Sequence, residues 1–214
     1  MTARVGVLHT VPALVPVFQE LLLERRDDLD IVHTADASLL SSVIAGGVTD
    51  AVRALLRGHL RALRNAGAEA VLVTCSSIGE ATVEAAGVVG VRLSRVDTPM
   101  AAEAVARARA GAGRILVLAT LEATLGPTAR LVESAAGAAS VEVTSIVVAD
   151  AAAARSAGDL ERHDTLVAEA IQRAGGVDVI VLAQASMASG AGDDPRVLTS
   201  PASGVDGFVA SLGD

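Results

Sequence analysis

The chain repeats itself, and the repeat limits the folds open to it. Arg4-Val5-Gly6-Val7-Leu8-His9-Thr10 reads against Arg114-Ile115-Leu116-Val117-Leu118-Ala119-Thr120, with Arg, Val, Leu and Thr kept and one Val exchanged for Ile. At nearly the same offset, Gly67-Ala68-Glu69-Ala70-Val71-Leu72-Val73-Thr74-Cys75-Ser76-Ser77 reads against Gly176-Val177-Asp178-Val179-Ile180-Val181-Leu182-Ala183-Gln184-Ala185-Ser186, so Cys75 corresponds to Gln184. Two apolar segments can resemble each other by chance. Two in the same order at one offset point to a pair of related α/β units rather than a short tandem array.

Hydrophobic patterning supports alternating strands and helices. Strands are expected over 5–9, 30–34, 70–74, 91–96, 115–119, 141–148 and 179–183, most of them continuous apolar runs of the kind buried on both faces of a parallel sheet. Helices are expected over 12–26, 48–66, 99–110, 128–136, 160–174 and 201–212, with a further helix starting at Ser76. Thr98-Pro99 and Ser200-Pro201 read as a capping hydroxyl before a proline at the first helical position, and Thr10 stands just before Pro12. The expected division is an N-terminal half, 1–98 with the last helix 199–214 returned to it, and a second half, 99–198.

Composition removes several classes of function. All 17 basic residues are Arg. Without Lys there is no Schiff base for pyridoxal phosphate and no P-loop. No G-x-G-x-x-G or G-x-S-x-G is present, and the 4 histidines (His9, His33, His59 and His163) are too scattered for a zinc pattern. Asp193-Asp194 beside Gly190 and Gly192 reads as a solvated loop. A net charge of −8, two Phe and no Trp or Tyr argue against nucleic acid. There is no uncharged apolar run of about 18 residues and no secretory pattern near Arg4, and the single cysteine forms no internal disulfide, so a cytoplasmic protein is expected. Two-fold dimers are the commonest assemblies, which makes a homodimer or higher homo-oligomer the default expectation.

Cys75 stands where a strand runs into a helix start. Ser77 and Glu80 match the S-x-x-E capping box. A thiol beside the free N–H groups of a helix N-terminus has its pKa lowered, which would bring the thiolate within reach of neutral pH. The alternative is a small buried hydrophobe. Ligands of open α/β sheets bind beyond the carboxyl ends of the strands, where Thr10, Cys75, Thr120 and Gln184 all fall.

The Val-Thr-Cys-Ser-Ser turn, Val96-Asp97-Thr98-Pro99-Met100, the segment Leu118 to Leu125 and Leu198-Thr199-Ser200-Pro201-Ala202-Ser203 together resemble the aspartate/glutamate/hydantoin racemase superfamily over nearly the whole chain. The resemblance implies an α/β fold of two pseudo-symmetric halves with mainly parallel sheets and the active site in the cleft between them. It also implies chemistry without a cofactor, in which one cysteine from each half moves a proton on the carbon next to a carboxylate. Here the second half carries Gln184, whose amide has no usable proton equilibrium, so a two-thiol racemase is excluded. Arylmalonate decarboxylase, a relative in that superfamily, works with one thiol that protonates a carbanion, and maleate isomerase-like relatives use cysteine covalently.

The expected function is therefore isomerisation or decarboxylation of a small carboxylic acid, with Cys75 as the catalytic group and no metal. Its carboxylate or enediolate would be held by Thr10, Ser76, Ser77, Thr120 and Thr124 through hydroxyls and backbone N–H groups. Gln184 and Ser186 would orient the substrate, Glu122 would bond within its own first helical turn, and His9 is either a partner base or a structural histidine. Two other classes stay open: a small-acid-binding protein that kept the fold and lost catalysis, and a thiol hydrolase with a covalent intermediate.

Overall fold

A computed structural model describes residues 3–213; residues 1–2 and 214, at the ends of the expected N-terminal half, lie outside the described residues. The chain divides into two compact units, Met1–Val96 with Pro201–Asp214, and Asp97–Ser200. In the first unit, β1 (Arg4–His9), β2 (Asp30–Ala35), β3 (Ala70–Val73) and β4 (Arg92–Arg95) form a parallel sheet in the order β2-β1-β3-β4. Helices α1 (Val15–Arg25), α2 (Ala37–Gly46), α3 (Asp50–Asn65) and α4 (Ser76–Val89) lie between its strands in chain order.

The second unit opens with α5 (Thr98–Arg109). It then runs through β5 (Arg114–Ala119), α6 (Glu122–Ala136), β6 (Glu142–Val147), α7 (Ala151–Ser156), α8 (Leu160–Arg173), β7 (Val179–Leu182) and β8 (Val197–Leu198). Its parallel sheet has the order β6-β5-β7-β8. The last helix, α9 (Ser200–Leu212), belongs from Pro201 onward to the first unit. The two sheets share strand order and register. Arg4 pairs with Asp30 and Val5 with Ala70 in one, Arg114 with Glu142 and Ile115 with Val179 in the other.

The inner strands are buried on both faces, as their unbroken apolar runs require. In the second unit Ile115, Val117, Ala119, Val179, Val181 and Ala183 face Met100, Ala104 and Ala108 of α5 and Val132 of α6. The alternate residues Leu116, Leu118, Ile180 and Leu182 face Leu166, Val167 and Ile171 of α8. This period of two places an apolar layer on each side of the sheet. In the first unit α3 buries Val52, Leu56, Leu60 and Leu63 at helical spacing. Gly6 lets it approach the sheet, because a β-carbon there would stand 3.2 Å from both Leu63 methyls.

Four differences from the sequence expectation have physical causes. Helix α2 went unforeseen although Asp36 caps it, accepting from Ser38 N–H at 2.9 Å; Gly47, at φ 71°, then separates it from α3. Helix α6 begins at Glu122, so Glu122 does stand in its first turn, and Pro127 lies inside it rather than marking its start near Thr128. The short elements α7 and β8 carry too little periodicity to be recognised. The expected hydroxyl caps shift by a residue: Asp97 rather than Thr98 is the N-cap of α5, Val11 rather than Thr10 precedes the 3-10 turn Pro12–Leu14, and the buried Ser200 hydroxyl has no hydrogen-bond partner. Asp194 is held by Arg196 through backbone and guanidinium, and among the described residues no cluster of His, Cys, Asp or Glu could hold a metal ion. No described helix is long and apolar enough to cross a membrane.

Candidate functional site

Each sheet has one place where the direction of its crossovers reverses. From β1 the chain adds β2 on one side and later β3 on the other; from β5 it adds β6 and then β7 in the same way. Helices on opposite faces part at such a point and leave a crevice at the carboxyl ends of the two strands. Thr10 follows β1 and Cys75 closely follows β3; Thr120 follows β5 and Gln184 closely follows β7. Cys75 and Gln184 have matching backbones, φ −125° and ψ 116° against φ −119° and ψ 132°, each as the N-cap residue of the next helix.

In the first unit, α4 starts at Ser76, so Cys75 holds the N-cap and Ser77 falls inside the first turn, not at the head of a capping box. The half-buried thiol faces the Thr10 hydroxyl, the Ser77 and Ile78 N–H groups and the Ser77 hydroxyl. Burial nevertheless pushes the Cys75 pKa above its ordinary value, and these donors only moderate the rise. The expected lowering by the helix end is thus outweighed, and the resting group at neutral pH is the protonated thiol. Thr10 is 2% exposed, and its buried hydroxyl has no hydrogen-bond partner among the described residues. Ser76 and Ser77 are buried and both take part in further interactions.

His9 belongs to a different arrangement. Its Nε2 lies 2.9 Å from Nδ1 of His33, whose Nε2 lies 2.8 Å from Oε1 of Gln19, while its Nδ1 lies 2.9 Å from the Thr74 hydroxyl. The Thr74 hydroxyl also donates to the Leu8 carbonyl at 3.2 Å, and Gln19, His33, His9 and Thr74 form one hydrogen-bonded chain in which every imidazole nitrogen has a partner. Burial, then repulsion by His33, pushes the His9 pKa down to about 4, and burial lowers that of His33. The His9 ring also lies 5.6 Å from Phe18. Both ring nitrogens of His9 are therefore engaged within the protein.

In the second unit the Thr120 N–H donates to Oε1 of Gln184 at 2.6 Å and the Thr120 hydroxyl donates to the same oxygen at 3.0 Å. The donors expected from Thr120 for a substrate are thus given to Gln184. Thr124 is 1% exposed and engaged in further interactions, while Gln184 and Ser186 remain partly exposed.

Sequence reasoning passed over Thr74, which anchors His9, although it precedes Cys75 directly. It also passed over Arg95 at the end of β4. The Arg95 guanidinium occupies the space beside Gly79 in the first turns of α4, where a β-carbon would come within 2.7 Å of it. The signal was available: a cation ending a strand beside a glycine in the helix that follows Cys75.

No protein-family model matches the sequence, and no curated protein matches it. The fold is shared with solved structures. An aspartate racemase from Picrophilus torridus superposes with a TM-score of 0.75 at 14% identity, covering 99% of this chain and 94% of that one. A glutamate racemase isoform from Bacillus anthracis gives 0.74 at 15% identity, over 99% of this chain and 81% of its own. Unliganded arylmalonate decarboxylase gives 0.57 at 19% identity, over 99% and 93%. At such identities the likeness establishes the architecture.

Proposed function

We propose that this protein is a thiol-dependent enzyme that delivers one proton from Cys75 to the carbon beside a carboxylate of a small organic acid, in a decarboxylation or an isomerisation, without a cofactor. The observation that carries the reading is a single thiol, held protonated by burial and faced by Thr10, Ser77 and Ile78 at the crossover reversal of its sheet. A group that rests protonated and leaves a supported anion suits a general acid. In the decarboxylation, the bond from the α-carbon to one carboxylate breaks and carbon dioxide leaves. The electron pair delocalises into the remaining carboxylate as an enediolate. The Cys75 proton then moves to the α-carbon, and the thiolate, stabilised by the Thr10 hydroxyl and the Ser77 and Ile78 N–H groups, recovers a proton from solvent. The shared fold of racemases and a decarboxylase supports this class of chemistry.

The test is turnover of malonates, hydroxy and amino dicarboxylates and hydantoins in deuterated water. Deuterium at the α-carbon of the product, abolished in Cys75→Ala and reduced by at least about a hundredfold in Cys75→Ser, is the expected result. Turnover that survives Cys75→Ala would remove the reading. The raised thiol pKa also favours a second one, a small-acid-binding protein with an inert sulfur. Acid binding that is unaffected by Cys75→Ala, with no turnover in any variant, would select it.

A further inference from the structure

The contact between Thr120 and Gln184 decides which way the amide faces. Oxygen and nitrogen of a glutamine amide are alike in shape, but a backbone N–H can only donate, so the atom 2.6 Å from the Thr120 nitrogen must be the carbonyl oxygen. The Thr120 hydroxyl approaches the same oxygen at 3.0 Å. That oxygen is therefore fully occupied, and the amide nitrogen points the other way, with no protein partner among the described residues. Thr120 is 5% exposed, so its backbone N–H would be left unsatisfied if the amide turned over. The clamp stands at the crossover reversal between β5 and β7, the place in this sheet where a ligand crevice is expected.

We propose that Gln184, clamped by Thr120, is a donor-only contact that receives an acceptor-only group of a small organic acid, a carboxylate or a carbonyl oxygen, and turns away an ammonium. It rests on the reading above in taking a small organic acid as the ligand, and narrows that ligand to diacids and oxo acids rather than amino acids. Two N–H bonds on an uncharged amide attract a carboxylate oxygen, whereas an ammonium would set donor against donor. Thr120 acts through Gln184 and is a positioning residue.

The experiment is calorimetric titration of the full chain with succinate against β-alanine and malonate against glycine. Each pair differs by one carboxylate replaced by an ammonium. The native protein is expected to bind the diacid at least about tenfold more tightly than its partner. Gln184→Glu keeps an acceptor for Thr120 but presents an anionic oxygen in place of the NH2 group, and is expected to abolish or reverse that preference. Gln184→Leu should weaken diacid binding by about tenfold without favouring the ammonium compounds, and carries the test should the Glu variant fail to fold by circular dichroism. Equal binding within each pair, no binding of either diacid at millimolar concentration, or a preference unchanged in both variants would overturn the proposal. A preference that depends on Gln184, without any deuterium transfer dependent on Cys75, would keep this assignment and remove the enzymatic reading. Deuterium transfer with a preference indifferent to Gln184 would do the reverse.

Discussion

At Cys75 two effects oppose each other. The N–H groups of the first turn of α4 and the hydroxyls of Thr10 and Ser77 favour sulfur as an anion, while burial favours it protonated and prevails. Alkylation by iodoacetamide should accordingly rise with pH around a midpoint above that of an ordinary cysteine, and Thr10→Val should move the midpoint higher still. A midpoint below about 8.5 would contradict this account. The paired imidazoles make a separate prediction. The folded pKa of His9, about 4, lies below the ordinary 6.5, so the unfolded chain takes up the proton first. The stability this group contributes is complete above about pH 6.5 and is lost as pH falls toward 4, by up to about 3 kcal/mol in all. Urea unfolding followed from about pH 7 to about pH 5 should show falling stability, and His9→Asn should flatten the slope.

Among the elements, the caps and the proline govern stability. The Thr49 hydroxyl accepts from Val52 N–H at the start of α3, so Thr49→Ala should cost about 1 kcal/mol, measured by chemical denaturation. Within α6, Pro127 offers no N–H to the Ala123 carbonyl. Pro127→Ala should restore that bond and raise the melting temperature, against a smaller loss from greater freedom in the unfolded chain. The same proline explains why α6 was misplaced in the sequence: Gly126-Pro127 resembles a helix start, and only the packing of Thr124, Thr128 and Val132 on one buried face shows the helix running through it. The buried strands were legible because burial on both faces writes itself as an unbroken apolar run, whereas β8, two residues long, has no pattern to read.

Over the whole molecule, the repeat announced both sheets, and the alignment of Cys75 with Gln184 anticipated two equivalent backbone positions. What could not be read was which groups those positions would bind. Hydrogen bonds from Thr120 to Gln184 and between Thr74 and His9 join residues distant in sequence, and the balance at Cys75 depends on burial, which has no local signature. If Cys75 is the only group that delivers a proton, as proposed above, protonation should be one-sided. Chiral chromatography of the product from a prochiral acid should show a single enantiomer, and a racemic product would contradict a lone donor.

The Thr120–Gln184 clamp also bears on how this chain could acquire a second thiol. Gln184→Cys would supply the missing sulfur but withdraw the acceptor from a nearly buried N–H and hydroxyl, at about 1–3 kcal/mol for each group left bare. A thiol at this position is therefore uphill unless Thr120 changes with it, so the two substitutions should be coupled in stability rather than additive.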